Sequence, residues 1–277
     1  MNAVLHRPTT LAEAFELLER PDAMVLGGGT AIQILLKQGL LAATDLVDVA
    51  RIHGLAQIHR ADGRTRIGAM VSLRQVETNP VIRAAAPLLA ETCGRVANPR
   101  VRNTASVAGN IAHGDYRLDP PTALMILDAT VHLASARGTR DVPAREFFVG
   151  FQATAVEQGE LIIGITVPDQ PAGSSHAYAK KSSLGENDWP SASAGALLVG
   201  AGSDAGRRLR LGLGALAPVP RFVEIDVSGL DRAAAVDAAR SAAEPLLDPI
   251  PDIRGSESYK RRLGLVAVVD AVTEAWR

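Results

Sequence analysis

The chain has 277 residues, enough for two units that each build a core of their own. Its 29 Lys and Arg against 30 Asp and Glu leave a formal charge of −1, which excludes a global basic field for nucleic acid, and 4% aromatic residues leave little for stacking on single strands. A single cysteine, Cys93, excludes an intramolecular disulfide, and also a cysteine-ligated iron–sulfur cluster or four-cysteine zinc site held by this chain alone.

Thr9–Arg20 predicts an amphipathic helix. Thr10 caps it with Glu13 at capping-box spacing, and Leu11, Ala14, Phe15, Leu17 and Leu18 form one apolar stripe. Pro21-Asp22 ends that helix. Ala23–Leu26 follows as a short strand, then the loop Gly27-Gly28-Gly29-Thr30, then a helix over Ala31–Gln38. Leu46–Val49 is a second strand, so residues 1–52 form a small first lobe. Asp62-Gly63 reads as a hairpin turn. Helices are expected near Ser72–Glu77 and from Pro80 to about Arg95, whereas 96–120 has no period and reads as one long structured loop. Thr122–Leu127 is expected to be helical, and Thr130–Ala134, Gly138–Pro143 and Leu161–Val167 to be strands.

Pro168–Ser175 gathers Pro, Gly and Ser and marks the expected domain boundary. Beyond it, Ser193–Ala201 and Arg208–Gly214 read as strands about a turn at Gly202–Gly206. Leu230–Ser241 reads as an alanine-rich helix, and Ser256–Ala275 as a final helix with Tyr259, Leu263, Val266 and Val269 near one face. The first residues lack the apolar run of a signal peptide, and no stretch approaches the roughly 20 residues of a membrane span. A cytoplasmic protein without a transmembrane segment is therefore expected.

Two glycine-bearing loops are candidate anion sites. In the first, glycines 27–29 let backbone amides approach an anion, a helix N-terminus stands behind them, and Thr30 adds a hydroxyl. The pattern is neither GxGxxG nor a P-loop, and a plain strand–helix turn is the alternative. The second runs over Val101–Asp115. Ser106 and Asn110 suit phosphate or ribityl oxygens, and Asp119 downstream suits a ligand hydroxyl; the alternative is a loop whose polar groups satisfy one another. Two such loops favour a large phosphorylated cofactor. No His, Cys, Asp and Glu set has zinc spacing, and no residue stands out as a catalytic base. Arg102 is expected to pair with a carboxylate that shapes the second loop, and Trp189 to fill the domain interface, with cover for one edge of the ligand site as the alternative.

With these motifs the chain resembles the FAD-binding medium subunit of molybdenum hydroxylases, the xanthine dehydrogenase, aldehyde oxidoreductase and aerobic carbon monoxide dehydrogenase group. The resemblance rests on Gly27–Thr30, on RNTASVAGN followed by Asp119, and on REFFVGFQAT (145–154) and ELIIGITVP (160–168). It extends through AYAKKSSLGENDWPSAS (177–193), APVPR (217–221) and RGSESYKRRL (254–263). It implies an α+β fold. A two-lobed FAD-binding domain of the vanillyl-alcohol-oxidase (PCMH) type would cover 1–170, with lobes of about 1–52 and 53–170. A smaller C-terminal α+β domain with a three-stranded sheet would cover 171–277.

The resemblance also implies roles. Gly27, Gly28, Gly29 and Thr30, flanked by Leu26 and Ala31, would hold the FAD pyrophosphate. Ser106, Val107, Ala108, Gly109 and Asn110 would form the turn along the pyrophosphate and flavin, and Asp119 would contact the ribityl and sugar region. Ile162 or Ile163 would lie near the isoalloxazine, Lys180 at the ring edge, and Val96 on the adenine. Ala108 stands where the family usually has glycine, and a lysine pair at Lys180-Lys181 is otherwise a solvated surface feature. The implied chemistry is electron transfer with no catalytic residue in this chain. A large partner would hold molybdopterin, and a small partner two [2Fe–2S] clusters. The acceptor would be NAD, oxygen or a quinone, and the assembly a dimer of heterotrimers. A free-standing FAD oxidoreductase of the vanillyl-alcohol-oxidase type is the alternative, and a non-redox nucleotide binder is a third reading.

Overall fold

The computed structural model describes residues 3–41, 43–200 and 206–277. The first lobe is a three-stranded parallel sheet in the order β1 (Val4–His6), β3 (Asp45–Asp48), β2 (Ala23–Leu26). Parallel strands need a crossover, and α1 (Leu11–Leu18) and α2 (Ile32–Lys37) supply them. Thr10 caps α1 by accepting from the Glu13 N–H, and α1 buries Ala14 and Leu18. None of the α2 residues is buried.

A five-stranded antiparallel sheet forms the second lobe: β4 (Ile58–Ala61), β5 (Arg64–Gly68), β10 (Leu161–Pro168), β6 (Thr130–Ser135) and β7 (Gly138–Pro143), in that spatial order. A string of short helices is inserted between β5 and β6. The expected helix from Pro80 to Arg95 is two helices, α4 (Pro80–Ala85) and α5 (Pro87–Gly94). Pro87 has no N–H and pushes Ala86 out of the helical region, to φ −140 and ψ 63.

The expected loop 96–120 is also largely helical, with α6 (Pro99–Thr104) and α7 (Val107–Ala112) after α3 (Leu73–Thr78). Each is under two turns, too short to show a period. The start signals were in the sequence nonetheless. Asn98 accepts from the Val101 N–H ahead of Pro99 at the first helical position, and the Ser106 hydroxyl accepts from Gly109 N–H. Helix α8 (Pro120–Ile126) is buried along its whole length. After β7 come α9 (Ala144–Phe147) and the small hairpin β8 (Phe148–Gly150) and β9 (Ala153–Thr154).

The C-terminal sheet has four antiparallel strands rather than the three implied by resemblance: β11 (Ser175–Lys181), β12 (Ala192–Val199), β13 (Arg208–Gly214) and β14 (Arg221–Asp226). Beyond the two strands read from the sequence, β11 and β14 sit at the edges, where charged residues such as Lys181, Arg221 and Glu224 interrupt the apolar pattern. The turn expected at Gly202–Gly206 lies outside the described residues except for Gly206.

Successive residues of a strand face opposite ways. Gly195 and Gly212 lie against Ile126 of α8, whereas Ala194 and Ala196 belong to the core under α10 (Arg232–Ala243) and α11 (Glu257–Ala275). The sheet is thus covered on both faces, and α8 joins it to the N-terminal lobes.

Helix α11 does not bury Tyr259, Leu263, Val266 and Val269 as a set. Tyr259 and Val266 are 40% and 48% exposed, and the buried face is Lys260, Gly264, Ala267, Val268, Ala271, Val272 and Ala275. Close packing decides this: a Cβ on Gly264 would come within 2.6 Å of Leu216, so small residues face the core. Lys260 is fully buried because its ammonium donates to Ile250 O at 2.8 Å and pairs with Asp252 at 2.7 Å.

Candidate cofactor site

The two glycine-bearing loops meet. A Cβ on Gly28 would overlap the Thr104 carbonyl oxygen and lie 2.9 Å from Ala105 Cα, and one on Gly27 would lie 3.0 Å from Ser106 Oγ. Gly29 has φ +72, which favours glycine, and Leu26, Thr30 and Ala31 flank the turn partly exposed. Among the described residues, the N–H groups of Gly27, Gly28, Gly29 and Thr30 donate to no protein acceptor. Four adjacent amides are therefore free for an anion.

The second loop differs. The N–H groups of Val107, Ala108, Gly109 and Asn110 donate to Val71 O, Ala69 O, Ser106 Oγ and Ser106 O respectively. Its remaining capacity lies in side chains. The Ser106 hydroxyl keeps its proton to donate, and the buried Asn110 Oδ1 has no partner among the described residues. Ala108 is an ordinary residue of α7, 6% exposed and with no left-handed backbone, so its methyl costs the loop nothing in geometry. Ile163 adjoins this loop, because Ala69 takes the Ile163 carbonyl through its N–H and offers its own carbonyl to Ala108 N–H. Ile162 instead points into the core at 4% exposure.

Arg102 of α6 has the carboxylate partner expected of it. Its guanidinium donates to Glu77 Oε2 at 2.9 Å, to Val96 O at 2.9 Å and to Ala97 O at 3.1 Å. Burial pushes the Glu77 carboxyl up, but hydrogen bonds from Arg74 and Arg102 outweigh it and leave the group below its usual range. The same contacts hold the corner at Ala97, where φ is +43. Val96 is set at that corner, partly buried.

Asp119 and Lys180 come together across the junction of the N-terminal lobes and the C-terminal sheet. Lys180 Nζ is 2.9 Å from Asp119 Oδ2 and donates to Arg95 O at 2.8 Å; the Tyr178 hydroxyl donates to Asp119 Oδ1 at 2.7 Å. The side chains of Asp119 and Lys180 are 4% and 7% exposed, so Lys180 is not a solvated surface group. Burial pushes the Asp119 carboxyl up, opposed by the Lys180 charge and the Tyr178 hydroxyl. Lys181 pairs instead with Asp270. A cavity of about 570 Å³ opens beside Lys180, between Arg95, Ala97 and Arg102 on one side and the 182–187 loop on the other.

Trp189 stands near the junction, 6.3 Å from the His113 ring, with the Arg117 guanidinium 4.9 Å from its ring centre. Arg117 is fixed by a bidentate pair with Asp115, and Arg254 by another with Asp188. Glu77, Arg95, Arg117 and Tyr178 were not singled out from the sequence. Of these, only Tyr178 carried a usable signal, two residues from Lys180 and hence on the same strand face. Cys93 is fully buried, which pushes its thiol up and leaves it unreactive. Among the described residues, no group of three or more His, Cys, Asp or Glu could hold a metal ion, and no helix is long and apolar enough to cross a membrane.

Residues 1–170 match the family described as the FAD binding domain in molybdopterin dehydrogenase. The chain is 33% identical over 278 residues to the carbon monoxide dehydrogenase medium chain of Hydrogenophaga pseudoflava, covering 98% of this chain and 96% of that one. It is 33% identical over 227 residues to the xanthine dehydrogenase FAD-binding subunit of Escherichia coli O157:H7, covering 79% of this chain and 75% of that one. Among solved structures, carbon monoxide dehydrogenase from Hydrogenophaga pseudoflava matches with a TM-score of 0.92 at 30% identity, over 100% of this chain and 98% of the other. Quinoline 2-oxidoreductase from Pseudomonas putida 86 matches with a TM-score of 0.91 at 27% identity, over 100% and 97%.

Proposed function

The chain belongs to the FAD-binding medium subunits of the molybdenum hydroxylase family, and from that premise we propose that it is the electron-transfer subunit of such a complex, holding FAD where its two glycine-bearing loops meet. The fold is α+β with the architecture of those subunits. The observation that carries the proposal is the set of free amides at Gly27–Thr30, locked against Thr104–Ser106.

The residues present fit the cofactor. The amides of Gly27, Gly28, Gly29 and Thr30 donate to the pyrophosphate, between Leu26 and Ala31. The Ser106 hydroxyl donates a hydrogen bond, and Asn110 Oδ1 takes one from the ligand that no described residue supplies. Val107, Ala108 and Gly109 form the floor of that turn. Asp119 accepts from ligand hydroxyls, Val96 and Ile163 give apolar walls, and Ile162 supports Ile163 from the core. Lys180 brings a positive charge to the ring edge. When bound, FAD supplies the capacity to exchange electrons singly and in pairs, while the chain binds, orients and tunes it.

We assign 1–170 to the FAD-binding domain, with lobes of about 1–52 and 53–170, and 171–277 to the second domain. Electrons arrive from a small partner with two [2Fe–2S] clusters, and a large molybdopterin-binding partner oxidises the substrate. They leave to NAD, oxygen or a quinone. The assembly is a dimer of heterotrimers in the cytoplasm. Purification through a tag on this chain, followed by subunit mass analysis, tests the partnership. Two co-purifying chains with molybdenum and iron are the expected result. A chain purified alone with FAD that oxidises a small alcohol by itself would replace this account with a free-standing oxidoreductase.

A further inference from the structure

We propose that Tyr178 is a positioning residue for the cofactor site: with Lys180 it holds and aims the Asp119 carboxylate, so that β11 of the C-terminal sheet completes a site otherwise built on the N-terminal lobes. The inference rests on the FAD reading above. Asp119 opens α8 but makes no capping hydrogen bond to that helix, so its carboxylate is not committed to its own element. Both its oxygens are taken from across the junction, one by the Tyr178 hydroxyl at 2.7 Å and one by Lys180 at 2.9 Å. Tyr178 and Lys180 are two apart on one strand, and therefore on one face of it.

A carboxylate has about four acceptor positions, and these two donors use two of them. The rest are left for ligand hydroxyls. The other ionisable groups found near Asp119 among the described residues include Arg95 and Cys93 of the α5 segment. Arg95 favours its charge; Cys93, buried as a thiol, is an uncharged neighbour. Tyr178 is itself buried, and burial together with the Asp119 charge keeps its phenol protonated, which makes it a fixed donor.

FAD titrations of the full-length chain across a range of pH test this, read by flavin fluorescence. Wild-type affinity should fall as acid protonates Asp119. Tyr178→Phe keeps the ring and removes the donor, so the fall should begin about one pH unit higher, with about tenfold weaker binding in that range. Lys180→Met, which removes the other donor, should shift the profile the same way. In an Asp119→Asn background the Tyr178→Phe shift should vanish. A Tyr178→Phe profile that superposes on wild type, or one that shifts equally with Asn at 119, would overturn the proposal. A wild-type chain that binds no FAD at any pH would overturn the underlying FAD reading as well, and is distinguishable because no profile then exists to shift.

Discussion

Gly28 and Thr104 stand backbone against backbone, with no room for a side chain on Gly28 between them. The contact joins the turn after β2 to the end of α6, and so joins the first lobe to the helical insertion of the second. A glycine is needed at 28 for this close approach, although only Gly29 of the three has a left-handed backbone.

Gly28→Ala should therefore separate the two loops and weaken FAD binding by at least about tenfold, since misplaced amides lose their charge-assisted hydrogen bonds. Gly150→Ala, whose Cβ would meet Ala153 Cβ at an ordinary 3.7 Å, is the control and should bind as wild type. Fluorescence titration checks both.

Arg102 and Arg74 share Glu77 but not their surroundings. Arg102 is 9% exposed and also satisfies two carbonyls, whereas Arg74 is 44% exposed. Arg102→Ala should cost about 2 kcal/mol, because it removes a largely buried guanidinium and leaves the partly buried Val96 and Ala97 carbonyls without their donor, although Glu77 keeps Arg74. Arg74→Ala should cost less than about 1 kcal/mol. Urea unfolding of the two variants measures the difference.

Ala108→Gly restores the residue usual in the family at a helical position. The loop needs no glycine there, so the change should lower stability by up to about 1 kcal/mol and leave FAD affinity unchanged. Tighter FAD binding by the glycine variant would show that the methyl does obstruct the ligand.

Acid should loosen the contact that Asp188 and Arg254 make between the loop before β12 and the segment before α11. Hydrogen bonds from Arg254 hold this carboxyl below its usual value against the opposing effect of burial. A depressed folded-state value means the stabilisation is complete above the unfolded value, near 4, and is lost as pH falls through the lower folded value. Melting temperature should drop across that acid window. Asp188→Asn should flatten the drop and lower stability near neutral pH. An unchanged acid limb in the variant would assign the acid sensitivity to other carboxylates.

Much of the fold is legible because strands such as β2, β10 and β12 are short apolar runs and the turns beside them carry glycine, as at Asp62-Gly63 and at Gly27–Thr30. The short helices α6 and α7 are not legible by periodicity, and only their caps, Asn98 and Ser106, betray them. Helix α11 misleads for a different reason. Close packing against Leu216 puts Gly264, with Ala267 and Ala271, on the core face beside Val268 and Val272, while Tyr259 and Val266 point outward. The partnership of Asp119 with Tyr178 and Lys180 joins an N-terminal helix start to a C-terminal strand edge. Such a contact depends on tertiary packing, and no local pattern encodes it. The two loops were visible as separate candidates; that they touch, and that only the first has free amides, comes from the structure alone.

Titration of the purified full-length chain with FAD, with ADP and riboflavin as competitors, tests the central claim most directly. One FAD should bind per chain with the visible spectrum of oxidised flavin. ADP should compete for the free amides at Gly27–Thr30 far better than riboflavin, which has no pyrophosphate. A colourless chain that binds no added FAD, or one whose FAD is displaced by riboflavin but not by ADP, would contradict the account.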